Sequence, residues 1–145
     1  MNDKEYNKWE AKVEKIEKDN KSLLVDFEKW LKSKNLKPKT IKNHLLNIEF
    51  YINGFLLNYE AETPEEGIIH IGLFLGDYFI RKASWASKYT IQENIASFKK
   101  FYTFLNEIGK IDDDDLEEMK EFIKEEKEFW LEEMEIYLSD VGEDW

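Results

Sequence analysis

Along almost the whole chain, apolar residues return at every third or fourth position, the period of a helix with one buried face. Tyr6, Trp9, Val13, Ile16, Asn20, Leu23, Phe27 and Trp30 mark the first such stripe, at alternating steps of three and four. Only 2 Pro and 6 Gly punctuate 145 residues, so few positions force the backbone out of a helix. The pattern predicts an all-α fold, a compact bundle of about five to six helices. With 42% hydrophobic and 15% aromatic residues, the chain has enough apolar surface to bury a core.

The first stripe predicts an amphipathic helix that breaks near Asp19-Asn20-Lys21-Ser22, where Ser22 would cap a second helix. The same spacing suits a coiled-coil seam keyed by Asn20 or the inner face of a packed helix. Pro38 disfavours helical backbone at Lys37 and suits a first turn. A new helix is therefore expected from about Lys39 to Asn58, with Ile41, Leu45, Ile48, Ile52 and Phe55 on one face. Thr63-Pro64-Glu65-Glu66 carries the residues of a capping box. The helix it opens is apolar nearly all round from Ile68 to Ile80, which predicts a buried central element. Gly72 and Gly76 share a face of it and admit a close neighbour. After a break at Ser84-Trp85-Ala86-Ser87, Ile91, Ile95, Phe98, Tyr102 and Leu105 define the inner face of a helix that Gly109 would close. Asp112 to Asp115 precede a last helix, about Leu116 to Leu138, striped by Leu116, Met119, Ile123, Trp130 and Tyr137.

Charge is unevenly spread. The formal balance is −11, but residues 111–145 hold 16 Asp and Glu against 3 Lys, leaving 16 acids against 18 bases in the first 110 residues. The absence of Cys excludes disulfides, Cys-ligated zinc and thiol nucleophiles, and suits a reducing compartment. Met1-Asn2-Asp3-Lys4-Glu5 has no signal-peptide pattern, and the most apolar stretch is too short to span a bilayer and contains Asp77. A cytoplasmic protein without a membrane partner is expected. The organisation expected is one domain, residues 1–145, made of a helical extension (1–19), a helical core (20–111) and an acidic amphipathic helix (112–145).

A set of residues in order carries a resemblance. Phe27-x-x-Trp30-Leu31 is followed by Asn35-Leu36-Lys37-Pro38-Lys39-Thr40-Ile41, then an apolar helix. Ser87-Lys88-Tyr89-Thr90-Ile91, the stretch Ala96 to Leu105, and Gly109-Lys110-Ile111 complete it. Over roughly residues 20–111 the chain resembles the N-terminal core-binding domain of tyrosine recombinases (phage integrases), a small helical domain with a SAM-like fold. The resemblance implies a free-standing domain that forms part of a clamp on DNA in integration and recombination, without the catalytic domain. Lys37 departs from the family pattern, which commonly has a capping Ser there.

Catalysis is not expected. Tyrosine recombination needs at least two Arg beside the scissile phosphate, and Arg81 is the single Arg of this chain. His44 and His70 lie on different predicted helices, without a Cys or neighbouring acid, so no metal is expected. The Asp112–Asp115 run lacks the alternation, Gly and terminal Glu of a calcium loop. There is no Gly-rich phosphate loop, and no cofactor is expected.

Binding is another matter. Lys29, Lys32, Lys34, Lys37, Lys39 and Lys42 lie in a stretch without Asp or Glu, around a helix start whose free amides suit a phosphate oxygen. The candidate DNA contacts are Lys34, Lys37, Lys39, Thr40 and Lys42 there. A second group holds Arg81, Lys82, Lys88, Thr90 and Lys99, with Lys100 beside them. Lys binds phosphate as a point charge, so backbone contact of low specificity is expected. The acidic last helix would point away from DNA or cover the basic surface as a mimic of phosphate. The alternative is a protein-interaction or oligomerisation module docking a partner or second copy through Tyr6–Ile16 and Leu116–Leu138, with Trp9, Trp130 and Trp145 exposed. Against that stands the reading in which both ends complete their own core.

Overall fold

The computed structural model describes residues 2–58 and 60–143. The protein is all-α, and no strand occurs among the described residues. Its contacts divide into two compact units that meet in sequence at Gly67 and Ile68.

The first unit begins with α1 (Asp3–Ser33), 31 residues long, whose first turn is capped by the Asn2 side chain accepting from the Glu5 amide at 2.8 Å. Asp3 and Glu5 add negative charge where the helix dipole favours it. No break occurs at Asp19–Ser22, contrary to the sequence expectation. Asn20 turns inward and is buried, and Lys15 pairs with Asp19 one turn on at 3.0 Å. Ile16, Leu23, Phe27 and Leu31 bury the inner face, as in a packed helix. Each contributes about 1.5–3 kcal/mol on leaving water. Asn35, in left-handed backbone at φ 61°, stops the helix, its amide and that of Lys34 closing on Lys32 and Leu31 carbonyls. Asn tolerates that conformation better than most residues.

α2 (Pro38–Glu49) packs on α1 with Ile41 and Ile48 buried. It was expected to continue as α-helix to Asn58. Instead it widens into a π turn over Phe50–Phe55, where the Leu56 amide reaches back five residues to the Tyr51 carbonyl at 2.9 Å. Beyond it, Ile16, Leu57 and Ala61 form a cluster on which Trp9 and Val13 lie, so the first turns of α1 help to complete this unit's own core. The Tyr51 hydroxyl donates to the Gly67 carbonyl at 2.6 Å. The capping box at Thr63 is present: Glu66 Oε1 accepts from the Thr63 amide at 3.0 Å and Thr63 Oγ1 from the Glu66 amide at 3.2 Å.

In the second unit, the stretch expected as one buried helix is a composite. A 3₁₀ helix (Glu66–His70) crosses the boundary in sequence and leads into α3 (Ile71–Leu73). A π turn (Phe74–Tyr78) and α4 (Phe79–Lys82) follow. Nor is it buried all round, because Ile69 and Leu73 face outward. The buried helix of this unit is α5 (Lys88–Glu107), where nine of 20 residues are buried, the five expected inner residues among them. Its buried polar side chains are satisfied locally, Asn94 donating to the Thr90 carbonyl and Ser97 to that of Glu93.

Gly109, at φ 80°, ends α5 in a Schellman turn: the Lys110 amide reaches the Leu105 carbonyl at 2.9 Å and the Gly109 amide that of Asn106 at 3.0 Å. α6 (Asp113–Glu143) starts earlier and runs further than the apolar stripe predicted. Asp112 caps it by accepting from the Asp115 amide at 2.8 Å. Leu116, Met119, Ile123, Trp130 and Met134 bury its inner face, which packs on α5 and on the Phe74–Tyr78 turn. Trp130, expected to be exposed, is therefore a core residue. Gly72 and Gly76 take the close approach expected of them, under the rings of Phe122 and Trp130. No described helix is long and apolar enough to cross a membrane.

Candidate nucleic-acid interface

The two basic groups fall one in each unit. In the first unit, the left-handed turn at Asn35 brings the chain from α1 to α2 within four residues. Lys34, Lys37, Lys39 and Lys42 are all exposed there, and Thr40 is half-buried. Lys34 Nζ sits 4.9 Å from the centroid of the Trp30 ring, an arrangement that fixes the side chain without cancelling its charge. Lys32 pairs with Glu28 at 3.4 Å. Among the described residues, no acidic side chain lies within ion-pair distance of Lys37, Lys39 or Lys42.

Lys37 is the N-cap of α2, in extended backbone, and no side chain caps this helix. Pro38 follows at the first helical position, and the first turn has no acid. The amides of Lys39 and Thr40 therefore face outward at the positive end of a helix dipole, ringed by lysines. Ser87, at the matching start of α5, differs. Its hydroxyl accepts from the Thr90 amide at 3.1 Å while Thr90 Oγ1 accepts from the Ser87 amide at 2.8 Å, so that start is closed by its own side chains.

In the second unit, two of the expected contacts are engaged with acids. Arg81 makes a bidentate pair with Asp77, at 2.8 and 3.0 Å, which holds the Asp77 carboxyl below its ordinary pKa. Lys88 Nζ is 2.9 Å from Glu135 of α6. The Thr90 hydroxyl is occupied by the capping box. Lys82 and Lys99 are exposed, and Lys100 is half-buried. Of the two histidines, His44 is buried on α2 and His70 ends the 3₁₀ helix. Trp145 lies outside the described residues.

Sequence reading missed one set of outward residues. Phe122, Phe129 and Ile136 on α6 are exposed and stand seven residues apart, a spacing visible in the sequence once the inner stripe is subtracted. Compared with family models, curated proteins and solved structures, the chain matches none.

Proposed function

We propose that the chain is a non-catalytic, cytoplasmic DNA-binding domain related to the tyrosine recombinase core-binding domain, which holds the phosphate backbone at the start of α2. One observation supports this reading: Lys37 occupies an N-cap with no side-chain cap, beside Lys39 and Lys42, none of them paired with an acid. An uncapped, dipole-positive helix start among lysines is a phosphate site by construction. Base readout is not part of the proposal, since no Arg, Asn or Gln fork is among the contacts. The −11 balance opposes association, so affinity is expected in the non-specific range, about 10⁻⁴–10⁻⁶ M at physiological salt.

The test is a fluorescence-anisotropy titration of labelled duplex DNA at low and moderate salt, with Lys37, Lys39 and Lys42 changed together to Glu. Binding should weaken with salt by about 0.9 log units per log unit of salt for each phosphate held, and should vanish in the triple variant. No binding of the folded wild type at low salt would sink the proposal, as would a triple variant that binds equally well.

A further inference from the structure

We propose that α6 carries a second interface, a docking face for a basic amphipathic helix from another protein. Phe122, Phe129 and Ile136 are 37%, 52% and 48% exposed. A helix turns by about 100° per residue, so these three stand within about 40° of one another, on a line separate from the buried stripe of Ile123 and Trp130. A surface row at heptad spacing is the geometry by which one helix receives another.

The row is widened at one end. Gly72 has no Cβ, and the Phe122 ring lies across it, within 2.8 Å of where that atom would stand. Ile69 and Leu73, one turn apart on the neighbouring helix, are 77% and 62% exposed. Between that helix and α6 lies a notch of about 230 Å³, floored by Ile68, Met119 and Phe122 and rimmed by Asp115 and Glu118. Its size suits a single apolar side chain. Contiguous exposed apolar residues of this kind mark interaction surfaces rather than ordinary scatter.

Charge decides the occupant. By the same turn per residue, Glu118, Glu125 and Glu132 flank the row on one side and Asp115, Glu126 and Glu133 on the other. The three lysines of α6, Lys120, Lys124 and Lys127, project to the far side. A second copy of α6 would set carboxylates against carboxylates, and phosphates would meet the same repulsion. A helix with an apolar stripe edged by Lys and Arg has the complementary shape and charge on both flanks.

The probe is a synthetic amphipathic peptide of about three heptads, Leu at the a and d positions and Lys at e and g, with a twin carrying Glu for Lys. Fluorescence anisotropy and circular dichroism with the full chain read binding and peptide helicity. The Lys peptide should bind and gain helicity, and the Glu twin should not. Changing Phe129 and Ile136 together to Ser should weaken binding at least about tenfold, as loss of anchor residues does. Leu46→Ser, an equally exposed apolar position on α2, should leave it unchanged. Both substituted positions are half exposed, and an unchanged far-UV spectrum verifies the fold of the double variant. Equal binding by the double variant would reduce the effect to bulk charge and overturn the proposal, as would no binding of the Lys peptide. A dimer in sedimentation that the double variant abolishes would overturn it in favour of self-association.

Discussion

Asn20 of α1 donates from its buried side-chain amide to Oδ1 of Asn53, 2.8 Å away inside the π turn that follows α2, and reaches the neighbouring Ile52 carbonyl at 3.4 Å. A π turn displaces backbone carbonyls from the regular α-helical ladder. Asn20 supplies a donor at that point from the facing helix, which is why a polar residue interrupts an otherwise apolar stripe. Asn20→Leu keeps the volume and removes the donor. It should destabilise the protein by about 1–3 kcal/mol, the cost of an unmet buried polar group, read as a fall in the urea midpoint. A midpoint equal to wild type would show that the bond adds nothing.

Gly72 and Gly76 should answer differently to alanine. Both substitutions gain about 1 kcal/mol of helix propensity. At Gly72 the new methyl meets the Phe122 ring, which is partly exposed and swings aside, so the net change should be near zero or stabilising. At Gly76 it meets Trp130, 3.0 Å away and only 2% exposed. Overpacking there should cost about 1–3 kcal/mol before the propensity gain is subtracted. Thermal melts of the two variants give the comparison, and a Gly76→Ala variant more stable than Gly72→Ala would contradict it.

Lys37→Ser should trade binding for stability. It supplies the hydroxyl cap that α2 lacks, worth about 1 kcal/mol, or about 2–4 °C in Tm for a chain of this size. The same hydroxyl occupies an amide that the proposed phosphate needs and removes a positive charge. Tm should rise while the anisotropy Kd for duplex DNA increases. A rise in Tm with unchanged DNA affinity would separate the cap from the binding site.

Acid should weaken two local structures. Glu66 is held below its ordinary pKa by the backbone and side-chain hydrogen bonds from Thr63, and Asp77 by Arg81. A carboxyl depressed in the folded state stabilises fully above its unfolded pKa and loses that contribution as pH falls through the folded value. The window therefore lies below about pH 4.5 for Glu66 and below about 3.8 for Asp77. Glu66→Gln with Asp77→Asn should flatten the acid limb of a stability-against-pH curve in that window. An unchanged slope would show that other carboxylates govern it.

What was legible in the sequence was local. The caps at Thr63 and Ser87 and the Gly109 turn were readable because each is set by residues within one turn of chain. The inner faces of α5 and α6 followed from spacing alone. The continuity of α1 did not, because Asn20 and Ser22 suit both a break and a buried bond, and only the partner at Asn53 decides between them. Trp130 sits one position from Phe129, and that single step separates a core residue from a surface one. Of the proposed DNA contacts, the Lys34–Lys42 corner was legible as charge. The engagement of Arg81 and Lys88 was less so: Asp77 was close enough in sequence to suggest a pair, whereas Glu135 is brought to Lys88 only by the packing of α6 on α5.

Each π turn is a helix holding one residue more than an α-helix would, so the number of residues between Pro38 and Leu57 is itself a determinant of the fold. Deleting any single residue from Phe50–Phe55 would let the helix close into regular α geometry and rotate all that follows by about 100°. Leu56 and Leu57 would then leave the core together, although neither had been altered. For this chain, length is conserved information that no substitution scan would detect.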